Sequence, residues 1–138
     1  MIERDLRSYL SGFTAVRDAS PGGIWPGKSP RNHKGARIIL REISTTRTYS
    51  IGNESGLSEK IVQVDSYAET PAKAEEMFQA VRNVLSGYSG LAGDSEIQGT
   101  RIVSEGTMDE PPENESDVWT HRYRADFALY YPQAVPTQ

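Results

Sequence analysis

The pattern of apolar and polar positions changes period sharply in residues 60–87, KIVQVDSYAE followed by TPAKAEEMFQAVRNVLSG. The first half alternates, with Val62, Val64 and Ala68 on one side and Gln63, Asp65 and Tyr67 on the other, as a half-buried strand requires. The second half repeats at helical spacing. Ala74, Met77, Phe78, Val81, Val84 and Leu85 form one stripe, and Lys73, Glu75, Glu76, Arg82 and Asn83 fall outside it. Thr70 is placed to cap a helix over 71–86, Pro71 suits its first position, and Gly87 suits a left-handed stop. A strand and a helix this close in sequence are expected to pack on each other and to organise the remaining apolar segments.

Those segments follow the same logic. Residues 2–11 read as a short helix with Ile2, Leu6, Tyr9 and Leu10 on one stripe and Gly12 after it. Residues 18–35 are rich in proline and glycine and read as a loop, anchored by Ile24 and Trp25. Residues 36–49 are rich in β-branched residues and read as a strand. Ile38 and Leu40 are out of phase with Ile39 and Ile43, which calls for a bulge or for burial on both faces. Residues 50–57 read as a turn, 86–95 as a glycine-rich connection, 96–105 as a strand weakened by Gly99, and 106–117 as an acidic loop. Residues 118–131 alternate most cleanly. Trp119, His121, Tyr123, Ala125, Phe127, Leu129 and Tyr131 oppose Thr120, Arg122, Arg124, Asp126, Ala128 and Tyr130. Pro132 ends this strand and 132–138 form a tail without structural signal. The predicted order α-β-β-α-β-β gives an α+β domain: one four-stranded, mainly antiparallel sheet with helices on one face.

A chain of 138 residues fits one domain, with no internal repeat and no stretch near the roughly 18 apolar residues of a membrane span. The charged start MIERDLRSYL does not read as a signal peptide. The absence of cysteine removes disulfides, thiolate metal sites and cysteine nucleophiles, and fits a protein assembled inside the cell. The triplets Asn53-Glu54-Ser55 and Asn114-Glu115-Ser116 match a glycosylation acceptor by chance on that reading. The net charge of −4 conceals a split: residues 1–48 carry nine Lys/Arg against four Asp/Glu, and residues 49–138 carry six against fifteen. The basic residues lack aromatic interleaving or a reading motif, so specific nucleic-acid binding is not expected.

One motif carries candidate chemistry. Gly22-Gly23-Ile24-Trp25-Pro26-Gly27-Lys28-Ser29 matches the phosphate-loop pattern G-x-x-x-x-G-K-[ST]. That loop needs a buried strand before it and a helix after it. Here Val16 to Pro21 precede, Pro30 to Gly35 follow, and Pro26 deletes an amide, so the match reads as accidental and nucleotide binding as the rival from a different class. His33 and His121 have no second ligand at metal spacing. Glu105, Asp109, Glu110, Glu113, Glu115 and Asp117 lack the spacing of a calcium loop. No nucleophile–base pair can be assembled, and the residues argue against an enzyme and against a cofactor.

Ile51-Gly52, Gly56-Leu57, Val62 to Ala68, Ala72 to Leu85, the helical start, the Gly-Ile-Trp-Pro segment at 23–26 and the aromatic last strand together resemble a known family. It is the tail-completion (tail terminator-like) proteins of long-tailed bacteriophages and prophages. The resemblance implies a virion protein of the tail or neck, assembled in the bacterial cytoplasm, forming a hexameric ring that caps the tail tube and helps join it to the head. Its implied partners are further copies of itself, the tail tube protein and head–tail connector proteins, with no catalytic residue and no membrane. Another neck component is the same-class alternative, and a small regulatory binding module a further one. In a ring the charge split would serve head-to-tail contact. Lys28, Arg31, Lys34, Arg37 and Arg41 would form a basic side, and Asp109, Glu110, Glu113, Glu115 and Asp117 an acidic one. The helix-free face with Gln63, Asp65, Arg122, Arg124 and Asp126 would be left for solvent or a neighbour, and Ile51, Leu57 and Leu91 would add apolar contact.

Overall fold

The computed structural model describes residues 2–27, 36–50, 53–93, 95–110 and 120–132. Its organising pair is a strand and a helix. The strand β3 (Asn53–Ala68) leads into α3 (Pro71–Leu85), whose first turn is capped by Thr70: the side chain accepts from the Lys73 amide at 3.2 Å. Ala74, Met77, Phe78, Val81 and Leu85 of α3 are buried with Val62 and Val64, as the two periods require. Gly87, at φ +78°, ends the helix.

Around this pair the chain builds more structure than its pattern predicts. After α1 (Ile2–Ser11) comes a second short helix, α2 (Thr14–Ala19), and then a three-residue strand, β1 (Ile24–Pro26), inside the expected loop. β1 pairs in parallel with β2 (Arg37–Ser50). Two small strands, β4 (Gly90–Ala92) and β5 (Ser95–Ile97), form a separate hairpin in the glycine-rich connection. The strands β6 (Gly99–Glu110) and β7 (Thr120–Pro132) complete the main sheet. That sheet is five-stranded and mixed, in the order β1-β2-β3-β7-β6; it is mainly antiparallel as expected, and β1 adds a fifth strand to the expected four. The four longer strands are antiparallel to their neighbours, and β1 adds the one parallel pairing. The expected turn at 50–57 is also shorter than its polar sequence suggests, because β3 already begins at Asn53.

The helices share one side of the sheet. Leu6, Leu10, Val16, Phe78, Leu40, Val64, Phe127 and Leu129 belong to one buried cluster drawn from α1, α2, α3 and the inward-facing strand positions. Tyr123 extends it, its ring 4.7 Å from that of Phe78 and nearly parallel to it.

Three irregularities interrupt the sheet. The β2–β3 register skips one residue of β2 between Glu42 and Ser44 and shifts again between Arg47 and Tyr49, and the β6–β7 register skips one residue of β6 between Ile102 and Ser104. The first supplies the bulge demanded by the broken alternation of 38–43. Burial on both faces occurs as well, since Ile38 and Leu40 point into the helix-side core while Ile39, 4% exposed, is buried on the other face.

Candidate assembly surfaces

Strand alternation and register gather on the helix-free face residues that are far apart in sequence. Three successive rungs cross it. Arg37 neighbours Tyr67, which neighbours Arg122; Ile39 neighbours Asp65 and then Arg124; Arg41 neighbours Gln63 and then Asp126. The sequence assigned Arg37 and Arg41 to a basic loop-and-strand cluster with Lys28, Arg31 and Lys34. The structure instead places these two with Arg122 and Arg124. Lys28, Arg31, Lys34, Glu113, Glu115, Asp117 and Ile51 lie outside the described residues. Asp109 and Glu110 belong to the end of β6, opposite His121 and Thr120, and not to a loop.

This face is covered by its own long side chains. The guanidinium groups of Arg37 and Arg122 lie over the Tyr67 ring, at 4.7 and 5.7 Å from its centre. Each such contact contributes on the order of 0.5–2 kcal/mol, more as water is excluded. Beneath them Asp65 is fully buried, which corrects the expectation that it faces solvent or a neighbour. Its Oδ2 accepts from Arg122 Nη2 at 2.9 Å, while its Oδ1 has no hydrogen-bond partner. Burial raises the Asp65 carboxyl above the ordinary aspartate range, and the Arg122 charge and hydrogen bond act against that rise. A buried pair of this kind is not a net source of stability, because desolvation offsets the attraction, but removing one partner leaves a costly lone charge. Arg124 and Gln63 are half-buried. Arg41 is exposed and donates from Nε to the Gly27 carbonyl at 3.1 Å. Asp126 accepts from the Ser104 hydroxyl at 3.1 Å.

On the helix side, a second polar pair closes the far end of the core. Lys60 lies 3.1 Å from Glu42 and over the Tyr131 ring. Burial would lower the Lys60 pKa, but the hydrogen bonds that its ammonium donates to Tyr131 and Glu42 prevail and raise it.

The phosphate-loop match is used for folding. The Gly22 amide donates to Ala36 O at 2.6 Å, Gly23 to Ser20 O at 2.9 Å and Gly27 to Leu40 O at 2.8 Å. Ile24, Trp25 and Pro26 between them form β1, so these glycine amides are turned to the protein's own carbonyls and do not converge on a cradle. The Trp25 indole donates to Gly22 O at 2.8 Å, which ties the segment further to itself. Among the described residues no group of three His, Cys, Asp or Glu side chains is arranged to hold a metal. A hollow of about 180 Å³ between α2 and α3, lined by Ala15, Asp18, Ala19, Lys73, Glu76 and Met77, is smaller than the roughly 300–1,000 Å³ of an ordinary ligand pocket. Among the described residues the large apolar side chains that stand exposed are Ile43, Val103 and Leu91. Of these only Leu91 was expected from the sequence.

No family model matches the chain, and no curated protein matches its sequence. Its fold is similar to that of a chain in a solved structure titled "Virion of native gene transfer agent (GTA) particle". The two share 12% sequence identity at a TM-score of 0.73, over 95% of this chain and 94% of the other, a likeness of fold from end to end.

Proposed function

We propose that this chain is a structural protein of a phage-like particle, assembling as a ring at the end of the tail tube, terminating the tail and helping to join it to the head. The observation that carries this reading is the fold shared over 95% of the chain with a component of a gene transfer agent virion. The tail-completion resemblance of the sequence points the same way. Surface chemistry fits a role in assembly: two arginines lie over the Tyr67 ring beside a buried carboxylate on the helix-free sheet face, and the glycine-rich motif is consumed by β1. The ring would be hexameric by that resemblance, its contacts drawing on Lys28, Arg31, Lys34, Arg37, Arg41, Gln63, Arg122 and Arg124 on one side and on Asp109, Glu110, Glu113, Glu115 and Asp117 on the other. Tail tube and head–tail connector proteins would be its neighbours in the particle.

The test is deletion and complementation in a strain that produces the particle, read by electron microscopy. The expected result is heads and tails that fail to join, or tails of uncontrolled length, restored by the intact chain. Normal joined particles made without the chain would remove it from the neck.

A further inference from the structure

The main sheet ends in two unequal edges. On one side β1 covers β2 only from Ile38 to Leu40, and among the described residues no strand pairs with the outer side of β2 beyond that point. On the other side β6 is the last strand of the sheet. Open edges carry rows of unpaired amides and carbonyls, and proteins usually blunt them with charge, proline or a bulge.

We infer that neighbouring copies join edge to edge, residues 101–104 of β6 in one copy meeting residues 41–44 of β2 in the next antiparallel, with Val103 packed on Ile43; the Gly87 amide, donating to Thr100 O at 2.9 Å, bounds the contact on β6. This deepens the ring reading and rests on it. Direction is the first support. β2, β3, β7 and β6 are four strands, each antiparallel to its neighbour, so the two edge strands run in opposite senses. A copy brought alongside by rotation about an axis near the strand direction therefore meets the first with its edges already antiparallel. The contact is heterologous, one surface on the left and another on the right, as a closed ring requires.

Height is the second support. One rung runs from Glu42 through Val62 and Phe127 to Ile102, and a register skip falls immediately beside each of its ends. The extra residues are Ile43, 56% exposed, and Val103, 47% exposed. Neither edge carries lysine or proline at this level. These two present β-branched aliphatic side chains, one at each edge and at the same level. Continuing the rungs into the next copy sets Arg101 beside Ser44 and Ser104 beside Arg41. No like charges meet in that register. β1 limits the contact, because from Leu40 onward it occupies the position a neighbour would need.

The chain has no cysteine, so introduced thiols report without background. The full chain is prepared as Val103→Cys, as Ile43→Cys and as the double variant, oxidised mildly, and run without reductant, with the crosslinked peptide identified by mass spectrometry. Neither single variant should crosslink alone. Their mixture should give a covalent dimer and nothing larger, and the double variant a ladder ending at the ring number. Val103→Lys, at an exposed position that leaves the core untouched, should melt as wild type and lose the oligomer. A dimer from Val103→Cys alone would show β6 pairing with β6 and overturn the proposal. Rings visible by electron microscopy without any crosslink would overturn the edge pairing and leave the ring reading standing. A ladder from a chain whose deletion still yields joined particles would keep the edge pairing and remove the neck function. Absence of both rings and crosslinks overturns the pairing.

Discussion

Phe78→Ala tests whether α3 organises the domain. Phe78 is completely buried, stacks on Tyr123 at 4.7 Å and touches Phe127 with ring centres 6.3 Å apart. Truncating a buried phenylalanine costs about 3–5 kcal/mol in lost transfer energy and residual cavity. The stacked pair accounts for roughly 0.5–1.5 kcal/mol beyond burial alone. The site is hard to collapse, since it lies between a helix and two central strands, so the upper half of that range is expected. For 138 residues the unfolding entropy is about 0.3 kcal/mol/K near the melting temperature, which converts the loss into a fall of roughly 10–17 °C. Thermal and urea unfolding followed by circular dichroism measure it, and the urea slope should stay unchanged because the two-state transition is retained. Phe78→Leu keeps most of the volume and loses the stack, so it should cost only about 1–2 kcal/mol. A fall under about 3 °C for Phe78→Ala with an unchanged slope would mean that the ring does not sit in a packed core, and the strand–helix pair would lose its central place.

Two other changes probe the outer face and the join between α1 and the small hairpin. Asp65 has its folded pKa raised by burial against the opposing pull of Arg122, so the folded state holds the proton more tightly than the unfolded chain. Stability from that group is therefore present at low pH and lost as pH rises through the raised value. Urea midpoints of wild type and Asp65→Asn, compared pH by pH, should show wild type losing ground to the variant as pH climbs out of the ordinary aspartate range; a flat or opposite trend refutes the burial. Gly93 sits at φ +56° with an added Cβ only 2.6 Å from Asp5 Oδ1 and 3.0 Å from its Cα. Gly93→Ala should cost more than 1 kcal/mol, roughly, through strain and steric overlap, measurable as a lowered melting temperature, and an unchanged one would place the turn away from α1.

What could be read from the sequence follows from where one local signal decides the structure. α3 was legible because cap, proline, stripe and stop all agree, and the Thr70–Lys73 hydrogen bond bears out the cap. β7 was legible because its alternation runs almost unbroken. β1 was not, since three residues between glycines form a strand only by pairing with Ile38 to Leu40, a partner remote in sequence and parallel in direction. α2 buries Val16 and leaves Thr14, Ala15, Arg17 and Asp18 exposed, too little periodicity to announce a helix. Asn53 to Leu57 read as turn because of their polar composition, yet pairing with β2 and β7 extends the strand through them. Of the surfaces, alternation correctly set Gln63, Asp65, Arg122 and Arg124 on one face. It could not show Asp65 as buried, because a polar residue on an uncovered face is ordinarily wet, and only the register reveals two arginines flanking Tyr67 beside it.

The outer face also explains how a sheet with helices on one side can remain open at both edges. An apolar sheet face ordinarily needs a second packed layer. Here Ile39, Asp65, Tyr67 and Ala128 are buried, although the helix-side core does not include them and, among the described residues, no helix lies over them. Over Tyr67 arginine supplies that layer, the guanidinium groups of Arg37 and Arg122 lying on the ring, a use of the side chain that lysine cannot reproduce because it lacks the planar cation. A layer made of side chains adds little height and wraps around neither edge, unlike a crossing helix. β6 and the far half of β2 thus stay accessible while the centre of the face stays dry. The buried Asp65–Arg122 pair adds directionality, since an acceptor fixed beneath Arg122 orients that guanidinium on the Tyr67 ring. On this argument Arg37, which the charge split first marks as a contact residue, acts with Arg122 foremost within the subunit, while Ile43 and Val103 stand exposed at the strand edges.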